Sequence, residues 1–444
     1  MQAWRRRTAP GIAAGIGLLL GTALVGCAEG SLDSIEPADD GGVPDPGSTE
    51  DAAGESDASP EVPDVDADAD LPDADAPDAE VPDTGDPTRC DPLTCSGIGG
   101  RYCAAGLCIA GTWSDLAFAE GHACILLSAP GPVHCLGEND RGQLGDGTRD
   151  PSRRFVRVAG INDAERVFVG RRHSCAVTHA GAIRCWGAND VGQCGTAGGA
   201  DALAPTSIEA AATPATQLAL GADHTCMRSG GEVRCFGGNA EGQLADGTRT
   251  GRPTMGESIA TDAIALGAGD ATTCVLAADG IVSCAGLNDR GQVGGAAGES
   301  VTTLTAVPAG ESFGSFGVGD AFACAVTAAG AVRCWGANDR GQLGVGAGSP
   351  AGVVTPTLAD SVVSLAVGAR HAIIIDSTTS SWAWGDNEAG QIGFGGATEP
   401  VTAMPRRLSL AMALSVVTGG TTTWAKDGLG EYFFGGLADE IREP

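Results

Sequence analysis

Short apolar runs punctuated by glycine recur from about residue 112 to the end of the chain. One unit holds Val167-Phe168-Val169, a turn at His179-Ala180-Gly181, and a second run, Ile183-Arg184-Cys185-Trp186. Runs of this length bounded by Gly, Asn and Asp predict β-strands joined by tight turns, not helices. The glycines that close each unit, Gly137, Gly187, Gly237, Gly286, Gly336, Gly385 and Gly435, lie 50, 50, 49, 50, 49 and 50 residues apart. A period this constant means one supersecondary unit used repeatedly. Four short strands per unit bury their faces only against neighbouring units, which predicts an all-β stack of blades.

Two blocks carry the repeat. The first reads Trp186-Gly187-Ala188-Asn189-Asp190-Val191-Gly192-Gln193 and, more fully, Trp335 to Gly344; Leu136 to Gly145, Phe236 to Ala245, Ala285 to Gly294 and Trp384 to Gly393 are further copies. Its glycines permit positive φ, and its Gln amide can satisfy backbone groups that a tight turn leaves free. The second reads Leu218-Ala219-Leu220-Gly221-Ala222-Asp223-His224-Thr225-Cys226. The patterns W-G-x-N-x-x-G-Q-x-G and G-x-x-H-x-C resemble the repeats of the regulator of chromosome condensation family over residues 112–444. That resemblance implies a seven-bladed β-propeller of about fifty residues per repeat. The intervals leave most of a seventh unit split between the two ends, so strands from Ala117 to Cys135 are expected to pair with strands from Val416 to Phe434 and close the ring without an open edge.

Charge divides the chain. Of 56 acidic residues, 21 fall between Ala28 and Thr88, where no Lys or Arg occurs. Such a segment buries too little apolar surface to offset ordering entropy, so residues 28–89 are expected to form an extended tether. Asp66, Asp68 and Asp70 alternate there without the Gly and closing Glu of a calcium loop. From Arg89 onward 35 acids face 23 bases, without the basic stripe that nucleic acid requires. The N-terminus carries Arg5-Arg6-Arg7, an apolar stretch from Gly11 to Val25, and Leu24-Val25-Gly26-Cys27. This resembles a bacterial lipoprotein signal over residues 1–27, with Cys27 as the lipidated residue, and implies an exported chain anchored to the cell envelope.

Export gives the 16 cysteines their meaning. Cys90, Cys95, Cys103 and Cys108 form a short segment, 90–111, expected to be a stalk stapled by two disulfides of open connectivity, the C-x2-C pairs of a zinc site being absent. In the repeat, Cys124 and Cys135, Cys175 and Cys185, Cys226 and Cys235, Cys274 and Cys284, and Cys324 and Cys334 occupy matching positions. The sixth unit has Ile373 and Ala383 there, and the seventh has Trp424 and Phe433. Both members vanish together, as a bond between them predicts. Cys194, in a slot filled elsewhere by Leu, reads as a small apolar side chain.

Four of the six histidines, His122, His173, His224 and His371, share one repeat position, with Thr272 and Phe322 replacing them in the fourth and fifth units. Recurrence marks them as structural. His134 and His179 stand in or beside hairpin turns without a nucleophile motif, and neither H-E-x-x-H nor a phosphate loop occurs. No titratable cluster is read at the central channel, so neither a catalytic site, a cofactor nor a metal is expected. The loops after each G-Q-x-G vary, and loops on a rigid frame carry recognition. Arg149, Arg153 and Arg154 with Arg406 and Arg407 form the most basic local patch once the ring closes as expected. The family's namesake exchanges nucleotide on a nuclear GTPase, a partner that an exported chain does not meet, and fold does not transfer function. The expectation is a monomeric binding module for a protein or cell-surface ligand. A secreted enzyme inhibitor, like the propeller inhibitor of β-lactamase that the resemblance brings in, is the alternative.

Overall fold

The computed structural model describes residues 101–104, 107–110, 113–208, 214–346, 348, 352–356, 358, 361–393, 399–408, 410, 412–426 and 431–435, all within one compact unit, Val81–Pro444. The described residues contain strands and turns and no helix. A hairpin of β1 (Arg101–Ala104) and β2 (Leu107–Ala110) precedes seven antiparallel sheets built from consecutive strands. Blade 1 holds β3 (Asp115–Phe118), β4 (His122–Leu126), β5 (Val133–Gly137) and β6 (Ser152–Arg157). Blade 2 holds β7 (Ala164–Val169), β8 (His173–Thr178), β9 (Ile183–Gly187) and β10 (Ala202–Ser207). Blade 3 has β11 (Gln217–Leu220), β12 (His224–Ser229) and β13 (Glu232–Gly237). Blade 4 has β14 (Ala263–Ala268), β15 (Thr272–Ala277), β16 (Val282–Gly286) and β17 (Val301–Ala306). Blade 5 has β18 (Phe313–Val318), β19 (Phe322–Thr327) and β20 (Val332–Gly336). Blade 6 has β21 (Val362–Val367), β22 (His371–Asp376), β23 (Ser381–Asp386) and β24 (Val401–Arg407). Blade 7 has β25 (Ser415–Gly419), β26 (Thr422–Lys426) and β27 (Glu431–Gly435).

The seven blades meet in a ring, the innermost strands β3, β7, β11, β14, β18, β21 and β25 each contacting the next and β25 returning to β3. Closure differs from the expected strand exchange. The first and last blades are separate sheets of consecutive strands, and they join by packing. Trp113 stands edge-on to Trp424 with ring centroids 4.6 Å apart, over a cluster that includes Leu116, Phe118, Ile125, Phe155 and Trp424. The residues before Gly137 that looked like part of a split blade instead form β3 to β5 of blade 1, and blade 7 stands as a sheet of β25 to β27. The outer edge of blade 1 carries the β1–β2 hairpin, with Ala104 paired to Phe155.

The core is likewise distributed. Seven apolar clusters are present, one between each pair of adjacent blades. Within blades, every cysteine pair of the repeat lies at directly opposed positions of two neighbouring strands and is bonded, with Cα atoms 4.1 Å apart. Ile373 faces Ala383 and Trp424 faces Phe433 in the same register. Apolar residues therefore occupy in blades 6 and 7 the register positions that a covalent bond joins in blades 1 to 5.

Polar bonds then lock the seams. The backbone carbonyl of the motif Gln in one blade accepts from the next blade, either from a Trp indole or from a hydroxyl. Trp186 Nε1 lies 2.9 Å and Ser174 Oγ 3.1 Å from Gln143 O. Thr225 Oγ1 lies 2.9 Å from Gln193 O, and Thr273 Oγ1 2.7 Å from Gln243 O. Where blades 5 and 6 have Ala323 and Ala372 in place of a hydroxyl, Trp335 reaches Gln292 O at 3.0 Å and Trp384 reaches Gln342 O at 2.9 Å. Because Ser174, Thr225 and Thr273 donate to these carbonyls, they must accept from His122, His173 and His224, whose Nε2 atoms lie 2.8, 2.8 and 2.9 Å away. His371 meets Thr423 in the same way at 2.9 Å. The proton is thus on Nε2 of His122, His173 and His224, and Nδ1 of His122 and His173 is buried without a partner.

A second proton on these rings would be a buried charge, which the backbone of Thr272 relieves only in part at His224. Burial accordingly lowers the pKa of His122 and His224 from 6.5 to about 4, and of His173 and His371 to about 3. Above pH 6.5 folded and unfolded rings are both neutral. Below it only the unfolded chain takes up protons, so stability falls as the pH drops from 6.5 towards 4. Melting temperatures recorded from pH 8 to pH 4 should show this acid limb. His224→Gln keeps a donor near Thr273 but does not titrate, so it should make the limb shallower, and an unaltered slope would exclude His224 from it. The disulfides give an independent test: Cys226→Ala combined with Cys235→Ala should lower the free energy of unfolding by about 2 to 3 kcal/mol, by the loop-entropy argument, in urea titration.

Candidate functional site at the propeller axis

Each innermost strand runs to the axis and turns there at the two unspecified positions of G-x-x-H. The approach is close enough to demand glycine. A Cβ on Gly269 would sit 2.3 Å from the Gly319 carbonyl, and one on Gly319 would sit 2.3 Å from the Phe322 ring and 2.6 Å from the Gly368 carbonyl. The blades are then stitched backbone to backbone. Arg171 N reaches Gly221 O at 3.3 Å, Ala222 N reaches Asp270 O at 2.9 Å, Asp270 N reaches Asp320 O at 3.3 Å, Asp320 N reaches Ala369 O at 2.9 Å, and Ala369 N reaches Gly420 O at 2.9 Å. These amides are committed to the ring. Inside it lies a cavity of about 180 Å³ to which all seven blades contribute.

The side chains at these turns give the recess its chemistry. Glu120, Arg171, Asp270 and Asp320 line the cavity, and Asp223 and Arg370 follow one residue later in their turns. Arg171 is held between Asp270 at 2.7 Å and Glu120 at 3.4 Å, and Arg370 approaches Glu120 at 3.8 Å. Among the described residues neither a hydrogen bond nor an ion pair reaches the Asp320 carboxylate. Burial, reinforced by the neighbouring Asp270 and Glu120, pushes its pKa up to about 7, against the partial relief of Arg171 and Arg370. Burial raises Asp270 as well, with Arg171 opposing. Four carboxyls share two guanidiniums, so the recess attracts cationic groups and can take up or release a proton near neutrality. Among the described residues, no group of three or more His, Cys, Asp or Glu is arranged to hold a metal ion.

This overturns the expectation that the channel holds no titratable cluster. Each contributing residue is one variable position in a block of its own, about fifty residues from the next, and reads as a solvated turn residue until the ring brings the turns together. The signal was available by stacking the two x positions in register: Glu120-Gly121, Arg171-Arg172, Ala222-Asp223, Asp270-Ala271, Asp320-Ala321, Ala369-Arg370 and Gly420-Thr421.

The expected basic patch does not assemble. Arg153 and Arg154 stand exposed on β6 of blade 1, whereas Arg406 and Arg407 lie on β24 of blade 6, with blade 7 between them. The neighbourhood rested on a shared closing blade, which does not form. Arg149 is engaged by Asp201 at 2.7 Å, Arg406 by Glu399, and Arg407 by the Ser380 hydroxyl at 2.8 Å. His134 is half-buried, and His179 pairs with Glu165 at a hairpin turn. Cys194 is buried with its Sγ 3.3 Å from the Ala188 carbonyl, and burial pushes its thiol pKa up. Cys103 and Cys108 are opposed in the β1–β2 register. Cys27, the tether 28–89, Cys90 and Cys95 lie outside the described residues.

Comparison with known proteins supplies the family. The model described as "Regulator of chromosome condensation (RCC1) repeat" matches residues 165–193, 215–243, 263–292, 315–342 and 362–391, and a second model of that description matches 181–227. The human probable E3 ubiquitin-protein ligase HERC3 is 31% identical over 185 residues, 38% of this chain and 17% of that protein. Mouse Protein RCC2 is 31% identical over 124 residues, 27% of this chain and 24% of that protein. The chain thus spans less than a quarter of the length of either relative. Human WBSCR16 has a similar fold with a TM-score of 0.62 at 19% identity, covering 70% of this chain and 85% of that one. Prp20p of Saccharomyces cerevisiae follows at 0.60 and 19%, covering 74% and 83%. By these matches the chain carries regulator of chromosome condensation repeats, and the ring they build resembles the propellers of WBSCR16 and Prp20p.

Proposed function

We propose that this chain is a cell-envelope lipoprotein whose propeller is a protein-binding module, and that the partner docks on the face where the axial channel opens. The observation that carries the reading is the charge of that face on a rigid frame. Glu120, Asp223, Asp270 and Asp320 outnumber Arg171 and Arg370, and the arginines nearest them are already engaged. The loops of the W-G-x-N-x-x-G-Q block open on the same face, as the bond from Glu138 N to Gly121 O at 2.7 Å requires. They are braced from within. Asn139, Asn189, Asn239, Asn288, Asn338 and Asn387 each accept from a backbone amide five residues on. A preformed, negatively charged rim favours a partner with basic side chains and lowers the ordering cost of binding.

Support for a binding role also comes from the fold's other users. Prp20p is described with binding properties towards Gsp1p and histones, and in a complex with Kap60. Export is supported by the leader ending at Cys27 and by the five disulfides of the blades.

Intact mass of the protein from native membranes tests export: a mature chain beginning at Cys27 with an acyl adduct is expected, and an unprocessed N-terminus would refute it. Photo-crosslinking in the same membranes tests the face. Asp223→Lys with Asp270→Lys should abolish the crosslinked adduct, and Arg153→Glu with Arg154→Glu should leave it intact. The reverse pattern would move the binding surface to the outer rim of blade 1.

A further inference from the structure

We propose that blade 5 is a proton-responsive joint of the ring: protonation of its axial carboxyl, Asp320, closes the seam with blade 4, and ionisation loosens it.

Seam chemistry is the first observation. The His-to-hydroxyl bond crosses the seams between blades 1 and 2, 2 and 3, 3 and 4, and 6 and 7. On both flanks of blade 5 the two positions are Thr272 with Ala323 and Phe322 with Ala372, so the bond is missing from each. The Thr272 hydroxyl, at the histidine position, is buried without a partner. Blade 5 also has the softest inner strand. β18 reads Phe-Gly-Ser-Phe-Gly-Val, with Gly314 and Gly317 in its interior, and interior glycine weakens a strand.

The axis supplies the second observation. Asp270 and Asp320 sit on adjacent backbones across this seam, joined by the 3.3 Å bond from Asp270 N to Asp320 O. The charged groups acting on Asp320 come from every side: Asp270 from blade 4, Glu120 from blade 1, Arg171 from blade 2 and Arg370 from blade 6, with Asp223 on the turn of blade 3. Arg171 is taken by Asp270 and Glu120, and Arg370 lies towards Glu120. Ionised Asp320 therefore adds a carboxylate beside another, across a seam without the histidine bond.

The sign follows from the two forms. Free in solution this carboxyl has a pKa of 3.8, and in the closed ring about 7. Between those values the closed form binds the extra proton, so closure loses stability as the pH rises through the window and carries the full penalty above 7. The four buried histidines act in the opposite direction below 6.5, so a global melting curve mixes both effects and local opening is the proper readout.

Hydrogen–deuterium exchange of the full chain at pH 6 and pH 8, corrected for intrinsic exchange rates, tests the joint. Protection in β14 and β18 should fall on the order of tenfold from pH 6 to 8, the equivalent of about one pKa unit of coupling. Protection in β11 and β12 should be unchanged, and Asp320→Asn should abolish the difference. Equal change in all four strands, or the same response in the variant, would overturn the proposal. A carboxyl-carbon NMR titration of Asp320 in the unaltered chain decides the matter even if the variant does not fold: a midpoint near 7 supports the joint, and one below 5 refutes it.

Discussion

The ring depends on how closely seven strands can approach one axis. Five of the seven inner strands are followed by a glycine and β25 ends on one, and an added Cβ at these sites would lie 2.2 to 2.6 Å from a neighbouring carbonyl oxygen or ring atom. That approach brings the amides and carbonyls of adjacent turns within hydrogen-bonding distance, so from blade 2 to blade 7 the turns are joined by backbone bonds. Blade 1 is the exception, with Ala119 at this position. It is also one side of the seam joined by apolar packing around Trp113 and Trp424.

Radially outward, two kinds of bond divide the work. Disulfides hold strands within a blade and leave the seams untouched. The five seams from blade 1 to blade 6 are held by the Gln carbonyl, which takes a donor from the next blade whether that donor is an indole or a hydroxyl. The substitutions compensate within this one chain. Phe236 and Ala285 offer no indole N–H, and their blades supply Thr225 and Thr273; Ala323 and Ala372 offer no hydroxyl, and their blades supply Trp335 and Trp384. A buried carbonyl left without a donor would cost about 1 to 3 kcal/mol, which is reason enough for one of the two donors to be present.

What could be read from the chain follows this division. The period, the strand runs, the cysteine partners and the bracing role of the motif amides are visible because each lies within a single fifty-residue unit. Relations between units are not. The indole and hydroxyl donors are 30 or more residues from their acceptors, and nothing in local pattern says that Trp186 and Ser174 share one carbonyl. Ring closure failed for a related reason: the count of leftover residues was right, but a blade of three strands satisfies the packing as well as one of four, so no exchange between termini was required. The arginine patch fell with it. The axial carboxyls were missed because Asp270 and Asp320, taken singly, look like ordinary turn acids.

The same geometry explains why charge can accumulate at the axis without undoing the fold. At Arg171, Ala222, Asp270, Asp320 and Ala369 the ring uses the backbone amide alone, so the frame does not constrain the side chain. Positions that are structurally undemanding yet converge on one recess are where a repeat scaffold can acquire specific chemistry while its blades remain alike. Here they hold more acids than the two guanidiniums can neutralise: among the described residues neither Asp223 nor Asp320 has an ion pair, and of these two it is Asp320 that lines the recess. The recess can shed that excess by binding a proton or by meeting a cation carried by a partner. Both relieve the same repulsion, so proton uptake and engagement of a basic partner must compete at this carboxyl.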